Sequence, residues 1–161
     1  MQKNIILVLF SLSFILHGCL QTSPTIEQSA KIIWKSSSLR YADMGFISDD
    51  GKNLKIEIYG VGTPLMRLHL SSQKVCMSQF ECATPKQFNK QELCEYYPDS
   101  LLENIFRAKP IYNNENLLKN SNGFTQNIKK INQYEIEYEV STTHTIFRDK
   151  MNKILIKVIK I

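Results

Sequence analysis

The stretch Tyr134-Glu135-Ile136-Glu137-Tyr138-Glu139-Val140 decides the fold class. Large apolar side chains alternate with glutamates through seven residues. In a strand, successive side chains point to opposite faces, so this pattern sets one dry face against one charged, wet face. Half-wet sheets of this kind are antiparallel. The same two-residue period returns in Leu54-Lys55-Ile56-Glu57-Ile58-Tyr59 and in Met66-Arg67-Leu68-His69-Leu70. Asp49-Asp50-Gly51-Lys52 is turn chemistry between two strands at about Leu39–Ser48 and Leu54–Tyr59. Asn152-Lys153-Ile154-Leu155-Ile156-Lys157-Val158-Ile159-Lys160-Ile161 ends the chain as a further strand.

One segment departs from this period. Within Asp99–Arg107, apolar residues stand at 101, 102, 105 and 106, a helical stripe, with Pro98 before it, Asp99 or Ser100 as cap and Pro110 as its end. A shorter helical candidate runs from Gln87 to Leu93. The expected fold is α+β and mostly β: a strongly curved antiparallel sheet, an open half-barrel, with one or two helices closing one side. Sheets that curl this way can hold an apolar cavity, and the helix packs on the sheet as core or plugs the mouth.

The N-terminus bears on location. Ile5 to Leu16 is nearly unbroken apolar sequence after Lys3, the size of a signal-peptide core and too short to span a bilayer. Gly18-Cys19 follows, and Leu16-His17-Gly18-Cys19 resembles a bacterial lipoprotein box, in which the chain is cut before the cysteine and that cysteine is acylated. The expected organisation is a cleaved signal peptide over 1–18, acylated Cys19 with a tether over 19–30, and one domain over 31–161. Residues 26–30 read as tether or as the start of a short helix. By resemblance to bacterial sorting rules, Leu20 and Gln21 after Cys19 favour the outer membrane, with the domain facing the periplasm.

The mature chain would have 143 residues (161 − 18), enough for one real core. Without Lys3 it carries 19 basic and 15 acidic side chains, a net charge of +4. The lysines around residues 129–130 and 153–160 lack the density of a nucleic-acid binder and read as a solvated strand face. Arg67 and Arg107 also read as solvated, with an acidic carrier or a lipid headgroup as their alternative contact. Cys76, Cys82 and Cys94 remain after Cys19, so an oxidising compartment leaves one disulfide and one thiol. Cys76–Cys82 could close across a hairpin; Cys82–Cys94 is the other pairing. With two distant histidines, His69 and His144, and no closely spaced cysteine pair, no metal site is expected. No nucleophile elbow, catalytic triad or phosphate loop is present, so the chain is read as non-enzymatic with no cofactor.

Gly60-Val61-Gly62-Thr63-Pro64 is unusual, because an apolar residue stands between two turn glycines where Asn, Asp or Gly is usual. The functional reading is an apolar tip that touches a membrane or a lipid. Here the chain resembles the outer-membrane lipoprotein receptor family LolB. Gly60–Thr63 followed by Leu68 resembles the family's strand–loop–strand, with Val61 in place of its protruding leucine and Gly60 in place of its proline. Tyr97–Pro110 resembles the helix block, with Ile105 in place of a tryptophan. Gly123-Phe124-Thr125-Gln126 and then Tyr134–Tyr138 resemble the glutamine block and its strand. The resemblance implies an apolar cavity that accepts acylated lipoproteins from a soluble periplasmic carrier, with the tip aiding delivery into the outer membrane. Ile56, Ile58, Met66, Leu68, Leu102, Ile105 and Phe106 are the candidate cavity lining; a closed core looks the same in sequence. The rival expectation is an assembly lipoprotein with a filled core that binds an envelope protein, or a carrier of another lipid.

Overall fold

The computed structural model describes residues 25–77 and 81–161. The signal peptide expected over 1–18 and the acylation expected at Cys19 lie outside the described residues.

The chain begins with β1 (Ile26–Lys35), β2 (Arg40–Asp49), β3 (Leu54–Gly60) and β4 (Thr63–Leu70), then two short strands, β5 (Val75–Cys76) and β6 (Cys82–Ala83). Two helices follow, α1 (Pro85–Glu92) and α2 (Leu101–Phe106). The chain returns through β7 (Leu117–Asn120), β8 (Gly123–Lys130), β9 (Tyr134–Ser141), β10 (His144–Asp149) and β11 (Ile154–Lys160). All eleven strands form one antiparallel sheet in the order β6-β5-β4-β3-β2-β1-β11-β10-β9-β8-β7, open at its two edges. The first long strand pairs with the last, Ala30 opposite Lys160 and Lys35 opposite Leu155, so two meanders join at the centre. This is the open curved sheet with helices that the alternation implies.

The alternating segments behave as their period requires. Leu54, Ile56 and Ile58 are buried on one face, as are Met66, Leu68 and Leu70, and Tyr134, Ile136, Tyr138 and Val140. α2 lays Leu101, Leu102, Ile105 and Phe106 on that face, with the Phe106 ring 5.9 Å from Trp34. α1 is fixed by a capping box between Thr84 and Gln87, with Pro85 in its first turn.

Three local expectations change. Ile26–Ala30 is strand, not tether or helix: every residue from Ile26 to Lys35 has a partner on β2, and Ala30 is fully buried. Glu, Gln and Ala favour helices locally, but β2 pairs with this segment along its whole length and β11 joins it at Ala30, and tertiary pairing overrides propensity. α2 stops before Pro110, because Ala108 turns left-handed (φ +53°) and Lys109 N–H closes back on Asn104 C=O. Ser100 stands at its N-cap without a side-chain cap bond. Among the described residues no helix is long and apolar enough to cross a membrane.

Two buried polar groups hold the helical segment to the sheet: Asp149, which the sequence reading did not single out, and Gln126, the glutamine of the block quoted above. Asp149 is fully buried and accepts from Tyr97 Oη (2.6 Å), Asn152 Nδ2 (2.7 Å) and the backbone N–H groups of Met151, Glu135 and Asn152. Five donors replace the water a buried carboxylate loses. Gln126 is 1 % exposed; its Oε1 accepts from Ile111 N–H and its Nε2 donates to the carbonyls of Ile111 and Glu115. An amide side chain has the donor and acceptor needed to mimic a neighbouring strand here.

Candidate functional site

The β3–β4 connection has only two residues, since Gly60 pairs with Thr63. A hairpin this tight needs positive φ at both positions to match the twist of its strands. Val61 has φ +50° and Gly62 φ +78°. Gly62 adopts this freely, but Val61 is β-branched, and its Cβ crowds the following carbonyl in the left-handed region. The valine is also fully exposed, so no burial offsets that strain. Gly60 has a packing reason: a Cβ there would sit 2.6 Å from the Leu65 side chain that lies over it. Thr63 Oγ1 donates to Gly60 C=O at 2.9 Å and closes the turn.

The seven candidate lining residues all come together. Ile56, Ile58 and Ile105 are fully buried, and Met66, Leu68, Leu102 and Phe106 are at most 7 % exposed, all within one continuous apolar cluster. Two of the seven reach open space. Phe106 borders a cleft of about 130 Å³ with Ile26, Ile47, Leu54 and Val158, where Gln28, Asp49, Arg107 and Thr145 add polar groups. Met66 borders a more open groove of about 570 Å³ along β4, with Tyr41, Leu65 and Met77 beside the charged Lys55, Glu57 and Arg67.

Cleft and tip occupy opposite ends of the sheet. Ile26 pairs with Asp49 at the cleft end, and Lys35 pairs with Arg40 at the end toward which the Val61 turn projects. Gln28 Nε2 is buried at the cleft with no hydrogen-bond partner among the described residues. Such a buried donor calls for an acceptor.

Arg107 is not solvated as expected. Its side chain is 8 % exposed, with Nε and Nη2 each 3.0 Å from an Asp49 oxygen and Nη1 on Glu103. The fork–fork pair ties the end of α2 to the end of β2, so its charge is spent within the fold. Arg67 is half exposed and lies 3.0 Å from Glu57. Contacts from Lys55 and Arg67 hold the Glu57 carboxyl below the usual range, the Lys55 hydrogen bond being the largest cause. In the 49–52 turn, hydrogen bonds from Asn53 and the Lys52 N–H hold Asp50 down to about 2. This is turn stabilisation of the kind its sequence suggests.

Cys76 and Cys82 are bonded, and Cys94 is the buried free thiol, pushed up by burial. Among the described residues no group of three or more His, Cys, Asp or Glu is placed to hold a metal ion. No protein-family model matches this chain, and no curated protein matches it.

Proposed function

We propose that the chain is an outer-membrane lipoprotein, anchored through acylated Cys19, that accepts acylated cargo from a periplasmic carrier and passes it to the bilayer without catalysis. The observation that carries this reading is Val61: a fully exposed apolar side chain held in a backbone conformation it disfavours. Strain kept at an exposed position points to use of that side chain. An apolar tip offers its methyl groups to a bilayer interior, where their transfer from water is favourable.

The cleft beside Phe106 suits the entry of an acyl chain. Part of its wall is apolar, through Ile47, Leu54, Phe106 and Val158, and the unpartnered Gln28 amide could donate to an ester or amide carbonyl. At about 130 Å³ it is smaller than the several hundred Å³ of a small-molecule pocket, so uptake requires α2 to move away from the sheet. The Arg107–Asp49 clasp, at the end of α2 and on the cleft wall, is where that movement starts.

A second reading is favoured by the packed interior. All seven lining candidates belong to a continuous core, as in an assembly lipoprotein that binds an envelope protein through its surface. One assay separates the two. A periplasmic carrier from the same organism is loaded with a lipoprotein and mixed with the chain carrying Cys19→Ala. Acceptor function gives movement of cargo onto the chain. Because cleft and tip are at opposite ends, Val61→Glu should leave uptake intact and impair onward delivery to liposomes. No exchange at any concentration removes the acceptor reading and leaves the assembly one.

A further inference from the structure

The outward face of the four central strands is a patterned surface that the cargo reading leaves unused. Residues directly opposite in an antiparallel ladder share a face, so the register fixes this surface row by row. Arg40, Lys35, Leu155 and Arg148 form one row across β2, β1, β11 and β10. In the next, Ile33 stands beside Lys157, and in the third, Lys31 stands beside Met44. Ile32, Trp34, Phe147 and Ile156, which alternate with these residues, are fully buried on the other side.

Five cations therefore share a patch three strand spacings wide, about 15 Å. Among the described residues, none of the five has an ion pair. On the outward positions of these four strands the one acid is Glu27, toward the far end of β1. The acids of the flanking strands are engaged: Glu57 with Lys55 and Arg67, Glu139 with His144, and Glu137, opposite Arg148, with Lys150. Apolar side chains lie among and beside the cations. Met44 is 46 % and Phe46 41 % exposed, and Phe46 meets Tyr59 edge-on at 5.8 Å.

We infer that this convex face docks on an anionic bilayer surface, its lysines and arginines on lipid phosphates and Met44 and Phe46 at the headgroup boundary. Unpaired cations interleaved with aromatic and aliphatic side chains match that interface in both charge and polarity. The position of the anchor selects a lipid surface over an acidic protein. Six residues lie between Cys19 and Ile26, a reach of at most about 25 Å, and Ile26 opens β1, a strand of the patch, five residues before Lys31 at the edge of the cation rows. This selection rests on the proposed acylation of Cys19; the patch itself does not.

The test uses the full chain with Cys19→Ala, so that no acyl chain contributes, floated with vesicles. One set contains phosphatidylethanolamine and phosphatidylglycerol, the other phosphatidylcholine alone. Comparison among variants cancels whatever residues 1–24 add. Lys31→Gln, Arg40→Gln and Arg148→Gln are all at exposed positions; each should weaken binding to the anionic vesicles about fivefold, and the triple variant about a hundredfold. A charge-matched triple on the helical side, Lys86→Gln, Lys90→Gln and Lys109→Gln, should bind like the parent. Equal losses in both triples, or binding that ignores the anionic lipid, overturns the inference. Cargo uptake is measured in solution without vesicles. The convex-face triple should therefore still accept cargo, so failure here and failure of the acceptor reading are separable.

Discussion

Replacing Val61 by asparagine should stabilise the protein while removing its proposed function. The native valine holds φ at +50° in a two-residue turn, where a Cβ-bearing residue loses about 1–2 kcal/mol relative to its right-handed conformation. Asparagine tolerates this region and is the residue such turns prefer. The valine is fully exposed, so no buried apolar area is lost on replacement. The expected net gain is about 1 kcal/mol, or about 3 °C in unfolding midpoint for a domain of this size. Thermal and urea unfolding of the parent and of Val61→Asn, Val61→Gly and Val61→Ala give the ranking. Asparagine should be most stable. Glycine gains less, because its unfolded chain is freer. Alanine gains least, since it keeps a Cβ and lacks the amide whose local hydrogen bonding lets asparagine tolerate this region. Delivery of cargo to liposomes should fall in the asparagine variant as stability rises. A neutral or destabilised Val61→Asn would refute the reasoning, because the valine would then be neither strained nor kept at a cost.

The remaining predictions concern what holds the fold. Asp149→Ala should cost at least about 3 kcal/mol in urea unfolding, because five donors lose a charged acceptor in the interior; a loss under about 1 kcal/mol would show that water replaces it. Reducing Cys76–Cys82 should cost about 2 kcal/mol, as expected for a short loop, and thiol titration of the folded oxidised protein should leave Cys94 unreacted until it unfolds. Stability should fall on the alkaline side. Burial raises the folded-state pKa of Cys94, Tyr97, Tyr112 and Tyr138, so the unfolded chain releases protons first, near pH 8.5 for a thiol and about 10 for a phenol. The unfolding midpoint should be level at neutral pH and decline from about pH 8.5 upward; a flat profile to about pH 11 would exclude these groups as the cause.

Much of the sheet was legible because its strands are wet on one side. Tyr134–Val140 and Leu54–Tyr59 alternate so regularly that only a strand separates their two kinds of side chain, and the faces they predict are the faces observed. The stripe at 101, 102, 105 and 106 similarly reported a helix lying on that sheet. These signals are local, since each depends on the direction of side chains within one segment.

What the sequence could not supply depends on partners distant along the chain. Ile26–Ala30 is strand because β2 pairs with it along its length and β11 reaches it at Ala30 from the far terminus. Arg107 is buried because β2 ends with Asp49 beside it, 58 residues away. Asp149 reads as an ordinary turn aspartate until Tyr97 closes over it. Val61 was visible as an odd residue between glycines, but its strain appeared only when the pairing of Gly60 with Thr63 forced a two-residue turn. The five cations of the convex face are scattered from Lys31 to Lys157 and become one surface through the register of four strands. The sequence by itself determined which residues face the interior, through local periodicity. The tertiary structure alone decided which polar groups meet, because pairing energy depends on positions that only folding brings within a few ångströms.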